Sequence, residues 1–152
     1  DLVLTSSSGG HAAVVEGERV RRPEADPYLA DGLATTWQAI QEDGTPVLVV
    51  LDTPWVGGNI PECVAENEDS LSECAADRDE ALRRSAQTYQ NLAVERVSNL
   101  ETLDLTPWLC PNDQCPAVIG GVLVYRDGHH LTGTYARSLA PIIDERIREL
   151  LE

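Results

Sequence analysis

The sequence predicts an α/β sandwich with a mainly parallel sheet. Short runs of β-forming residues alternate along the chain with amphipathic helical patterns, the order expected when helices cover a sheet. One run, "TPVLVVLD", holds five consecutive apolar residues between a proline and an aspartate, as expected of a parallel strand buried on both faces. No internal repeat or low-complexity segment competes with this reading, and 152 residues suit one domain that buries roughly two-thirds of its unfolded surface.

The elements follow in order. "DLVLT" is a short uncharged run after Asp1, long enough for a buried strand and stopped by "SSSGG"; Gly9 to Arg22 reads as an excursion. Leu29, Leu33, Trp37 and Ile40 recur at helical spacing and Gly44 stands where a helix would end, which predicts a helix from about Pro27 to Gln41. "TPVLVVLD" is the next strand, closed by Asp52. Thr53 to Asp77 reads as a large ordered loop. "RDEALRRSAQTYQNLA" places Ala81, Leu82, Ala86 and Tyr89 on one side of an amphipathic helix, and "LETLDLT" reads as another strand. "AVIGGVLVYRD" has two apolar runs divided by Gly120 and Gly121, a hairpin signal. The last helix begins near Thr132, a capping residue, and carries Leu139, Ile143, Ile147 and Leu150 to the end.

Acidic residues outnumber basic ones 26 to 11, giving a formal charge of −15 that repels phosphate backbones and anionic lipid head groups. Nucleic acid is therefore not an expected partner. No apolar stretch approaches the roughly eighteen residues needed to span a bilayer, and no signal peptide is present. The missing initiator methionine and the direct entry from Asp1 into Leu2–Leu4 are expected of a chain that begins inside a longer protein. The four cysteines form two local pairs, Cys63 with Cys74 and Cys110 with Cys115; these spacings suit disulfide loops better than a zinc site. Disulfides imply an oxidising, extracytoplasmic compartment.

In a parallel α/β sheet, functional groups gather beyond the C-terminal ends of strands, which nominates "TSSSGG", "DTPW" and "RDGHHLT". In "RDGHHLT", Asp127 and His130 are spaced so that one turn brings the carboxylate to the imidazole Nδ1. Such a pairing fixes the tautomer and stabilises the imidazolium, as a base activating a serine requires. His129 is expected to point elsewhere. A metal site of Asp127, His129, His130 and His11 is chemically possible, but adjacent histidines rarely chelate one ion, so no metal and no other cofactor is expected. "GGN" at Gly57 to Asn59 reads as a turn, with an oxyanion-hole loop as the functional alternative. Trp55 and Trp108 read as packing, with a sugar platform as the functional alternative.

With these segments in order, the sequence resembles the SGNH-type domain attached to the C-terminus of bacterial membrane acyltransferases of the acyltransferase-3 family. "DLVLTSSS", "VLVVLDTPWVGGNIPECV", "LSECAADRDEAL" and "LDLTPWLCPNDQCPAVIGGVLVYRDGHHLTGTYARSLAP" each look like that family's segments, in its order, and the last is the most specific. The resemblance implies a flavodoxin-like three-layer sandwich of the SGNH hydrolase type, with residues 1–152 as the C-terminal part of a single such domain. It assigns Asp127 and His130 as triad acid and base. The family's nucleophilic serine lies in a Gly-Asp-Ser motif on the domain's first strand, ahead of the segment that "DLVLT" resembles, and no Gly-Asp-Ser occurs here. "TSSSGG" falls where related hydrolases place an oxyanion-binding asparagine, so the hydroxyl of Ser6 or Ser7 is the candidate substitute.

The resemblance further implies acyl transfer through serine: an acyl donor delivered by a membrane acyltransferase domain, and a hydroxyl acceptor on a cell-envelope glycan or related molecule. An O-acyl esterase of the same fold, or a non-catalytic glycan-binding module with Trp55 as its platform, are the alternatives. The domain is expected to lie outside the cytoplasm, tethered to the membrane in the full-length protein. The missing N-terminal strands are expected to be supplied by a separate or cleaved chain, because an open sheet edge leaves ladder groups unpaired. Loss of His130 should abolish turnover in the complete domain, whereas loss of His129 should spare most of it.

Overall fold

A computed structural model describes all 152 residues. In chain order the elements are β1 (Val3–Thr5), β2 (Ala13–Val15), β3 (Glu18–Val20), α1 (Asp26–Glu42), β4 (Val47–Val50), α2 (Ile60–Glu66), β5 (Ala76–Asp77), α3 (Arg78–Arg84), α4 (Gln87–Val94), β6 (Glu101–Leu103) and α5 (Thr106–Leu109). Then come β7 (Gln114–Cys115), β8 (Val118–Ile119), β9 (Val122–Leu123), α6 (Gly133–Ser138) and α7 (Ala140–Leu151). The chain divides into two compact units. One comprises residues 1–52 and 85–104, the other residues 53–84 and 105–152.

The first unit contains the parallel sheet, in the order β1-β4-β6. Leu4 pairs with Leu48, and Val49 with Thr102. Val47, Leu48 and Val49 are all buried although successive side chains point to opposite faces, so β4 is covered on both sides, as its unbroken apolar sequence predicts. Trp37 and Ala34 of α1 and Ala86, Tyr89 and Ala93 from around α4 pack with Val47, Val49 and Leu51 into the core. The excursion from Gly9 to Arg22 folds into the antiparallel β2–β3 hairpin. In the sheet β1 pairs only with β4, and its Leu4 side chain is exposed.

The helix predicted from Arg78 to Ala93 is broken into α3 and α4, and the cause lies outside its own sequence. The Asp52 carboxylate takes the Ala86 amide at 2.7 Å, and Arg22 donates to the Ser85 carbonyl at 2.7 Å, so both backbone groups are turned away from a continuous helical ladder. Gln90, fully buried, accepts from the Asp52 amide at 2.7 Å and donates to the Val50 carbonyl at 3.3 Å, extending the hydrogen bonding of β4 with a side chain.

In the second unit, the segment expected as a loop from Thr53 to Asp77 contains α2 and a short 3-10 turn at Leu71–Cys74, joined by the Cys63–Cys74 disulfide. A second disulfide, Cys110–Cys115, links the end of α5 to β7, which pairs with β5. Both pairings match those expected. The Gly120–Gly121 hairpin forms, with both glycines at positive φ and β8 antiparallel to β9. Thr132 caps α6 by accepting the Tyr135 amide at 3.2 Å, as predicted, but the final helix restarts at Leu139 instead of running through. Pro141, in the first turn of α7, has no N–H to give to the preceding turn and cannot sit in a helix interior without strain. By the chain-entropy argument, replacing both cysteines of either pair with serine should lower unfolding free energy by roughly 2 to 3 kcal/mol, measured by denaturant titration. An unchanged midpoint would show that the bridge does not constrain the unfolded chain.

Candidate active site

The "RDGHHLT" segment leaves β9 through Val124 and Tyr125, both fully buried, and folds back on itself: the Arg126 amide donates to the His130 carbonyl at 2.9 Å, and Tyr125 bridges to Leu131. Asp127 organises the turn. Its Oδ1 accepts the amides of His129 at 2.9 Å and His130 at 2.8 Å, and its Oδ2 lies 2.8 Å from His130 Nδ1. The two backbone amides, His130 first, are the main reason that the carboxyl is held well below the usual carboxylate range; the His130 ring adds to the effect and partial desolvation opposes it. Asp127 is therefore an anion throughout the range in which an imidazole exchanges its proton.

An ionised carboxylate facing Nδ1 fixes the tautomer with the proton on Nδ1, leaving Nε2 as the acceptor. The His130 side chain is 51% exposed, and no group of the chain bonds Nε2. A base of this kind can take a proton from a hydroxyl brought to it. The geometry thus brings together the two residues that sequence spacing had paired.

His129 does not point elsewhere, contrary to expectation. Its ring lies against that of His130, with centroids 4.0 Å apart, and against that of Trp55, with centroids 4.4 Å apart. Its Nδ1 is 3.6 Å from Asp127 Oδ1, too far for a hydrogen bond. Asp127, His129 and His130 do offer three ligand atoms within 4.8 Å of one another, a set suited to a divalent ion such as zinc. His11 is not among them.

The "GGN" segment has a structural task. The Gly57 amide donates to the Gly128 carbonyl at 2.8 Å, and a Cβ on Gly128 would come within 3.0 Å of the Gly57 backbone and the Gly58 carbonyl. The Asn59 side chain donates to Glu62 at 3.0 Å. The Gly57 amide and the Asn59 side chain are thus engaged, and the two loops approach so closely that a Cβ at position 128 would press on the backbone of Gly57 and Gly58.

A model of the family described as "SGNH domain (fused to AT3 domains)" matches residues 3–145. The chain belongs to that family. Comparison with curated proteins and with solved structures found no match. Membership makes this SGNH domain an acyltransferase-associated, hydrolase-like module, in keeping with its α/β fold and parallel sheet. No helix of this SGNH domain is long and apolar enough to cross a membrane.

The serines expected as oxyanion substitutes lie just beyond β1, in the other unit, and they differ. The Tyr89 hydroxyl donates its one proton to the Ser8 carbonyl at 2.6 Å, so the bond of 2.6 Å between Ser7 and Tyr89 must be donated by Ser7. Ser7 thereby has no proton left for an oxyanion. Ser6 is exposed and its hydroxyl makes no hydrogen bond within the chain. Sequence reasoning missed the groups that shape this strand exit. The Asp52 carboxylate accepts the Gly9 amide at 3.2 Å, and Arg22 lies over the Tyr89 ring, 5.1 Å from its centroid, while pairing with Asp26 at 2.5 Å. The signal available was Asp52 closing β4; nothing local marks Arg22 or Tyr89.

Proposed function

We propose that this SGNH domain is the extracytoplasmic, C-terminal part of a single acyl-transfer domain in which His130 is the general base and Asp127 its orienting acid. The attacking serine is proposed to lie upstream in a Gly-Asp-Ser segment, which leaves the 152-residue chain inactive alone. The observation that carries the reading is the Asp127–His130 pair: a carboxylate locked by two backbone amides, bonded at 2.8 Å to an imidazole whose other nitrogen is open. The two disulfides support an oxidising compartment, and fusion to a membrane acyltransferase domain in the family supports tethering and delivery of the acyl donor.

The chemistry runs in two matched steps. His130 Nε2 takes the serine proton as the serine oxygen attacks the acyl carbonyl; the tetrahedral intermediate expels the donor's leaving group, which receives that proton. A hydroxyl of a cell-envelope glycan or related acceptor then gives its proton to Nε2 as it attacks the acyl-serine, and the serine oxygen leaves by taking that proton back from Nε2. Of the two serines proposed as oxyanion contributors, Ser6 alone has a hydroxyl proton uncommitted within the chain. With water as acceptor the same site is an O-acyl esterase. A purely glycan-binding role for Trp55 is less favoured, because His129 already lies against the indole. The test is acyl release from a simple aryl ester by the full-length protein, with and without a glycan acceptor. Acyl appearing on the glycan supports transfer and acyl appearing only as free acid supports the esterase, whereas no turnover of any acyl donor contradicts both.

A further inference from the structure

We propose that Trp55 and His129 are positioning residues for His130: the indole backs the His129 ring, and that ring fixes the plane in which His130 meets Asp127. This rests on the reading of His130 as the base. The need arises from exposure. His130 and Asp127 are 51% and 42% exposed at their side chains, so water competes for the one bond between the side chains, and one bond at Nδ1 leaves the imidazole free to swing about it. A second contact on the face of the ring removes that freedom.

The rings form a run. Trp55 and His129 are tilted by 32° with centroids 4.4 Å apart, and His129 and His130 by 39° with centroids 4.0 Å apart. Both spacings are a little shorter than the roughly 4.5–7 Å at which aromatic rings usually meet, so neighbouring rings are in direct contact. The His129 ring makes no hydrogen bond to Asp127, its Nδ1 lying 3.6 Å from Oδ1; the hydrogen bonds of Asp127 go to the two amides and to the His130 ring. Its ring is therefore available as a wall. The segment carrying Trp55 is bonded to the turn on both sides of the indole: Thr53 Oγ1 donates to the His129 carbonyl at 3.3 Å, and the Gly57 amide donates to the Gly128 carbonyl at 2.8 Å. The Trp55 amide itself is fixed to the Ala81 carbonyl at 3.1 Å. The wall thus has a rigid back, and the Gly57–Gly128 approach acquires a purpose: it sets the distance between indole and imidazole.

The experiment combines turnover by the full-length protein with nitrogen-edited NMR of the imidazoles in the 152-residue chain. His129→Ala and Trp55→Ala should each lower kcat by roughly 3- to 12-fold, the worth of one aromatic contact, with KM unchanged. His129→Phe keeps a flat ring and should restore most of the loss. The Nδ1–H signal of His130 should be sharp in the parent and in His129→Phe, and broadened by exchange with water in His129→Ala. Full kcat and a sharp signal in His129→Ala would overturn the proposal while leaving His130 as the base. Failure of His129→Phe to recover what His129→Ala loses would overturn it as well, since His129 would then act through its nitrogens. Undiminished turnover in His130→Ala would instead remove the reading of His130 as base, and the NMR signal would still report whether the stack holds the ring.

Discussion

Replacing His130 with alanine is expected to lower kcat/KM of the full-length protein by about 10³- to 10⁴-fold, with no loss of stability large enough to explain it. His130 is exposed and contributes no core packing, so its removal costs the base and little else. Asp127→Asn should lose activity too, for a different reason. An amide can place either its oxygen or its N–H toward Nδ1, so the tautomer with Nε2 free is no longer enforced, and the amides of His129 and His130 lose a charged acceptor. Because Asp127 is held ionised, protonation of this carboxylate should not be what limits activity at moderately low pH. The measurement is a kcat/KM profile for the parent and both variants. Activity in His130→Ala within tenfold of the parent would contradict the assignment.

The second large effect concerns the fold. Trp37 is 1% exposed and packs in α1 against the cluster containing Val47, Val49 and Tyr89, while its indole N–H lies 3.5 Å from the Thr5 hydroxyl. Trp37→Ala is expected to cost about 3–5 kcal/mol, from lost transfer energy and the cavity left behind. That is a large part of the roughly 5–15 kcal/mol by which such domains are stable, so the variant should be partly unfolded at 37 °C. Denaturant titration followed by circular dichroism measures it. A change below about 1 kcal/mol would show that this cluster is not the core holding α1 to the sheet.

What could be read from the sequence was whatever depends on neighbours in the chain. β4 was visible because a strand covered on both faces has no polar alternation to hide it, and the Gly120–Gly121 hairpin because two adjacent positive φ angles favour glycine. The Asp127–His130 pair was visible because a turn of four residues closes it. The interruption between α3 and α4 was not, since it is made by Asp52 and Arg22, distant in sequence from Ser85 and Ala86. The break at Leu139 did have a local signal in Pro141, which the apolar periodicity of Leu139, Ile143 and Ile147 outweighed. The same limit applies at the site: spacing pairs an acid with a base, but it does not reveal that Gly57 backs onto Gly128, or that His129 lies between an indole and the base.

The most direct test of the central claim is labelling of the full-length protein with a fluorophosphonate, which reacts with serines made nucleophilic by a neighbouring base. The account predicts one labelled serine, in a Gly-Asp-Ser sequence upstream of Asp1, with labelling lost in His130→Ala and retained in His129→Phe. Labelling at Ser6 or Ser7, or labelling that survives His130→Ala unchanged, would contradict it.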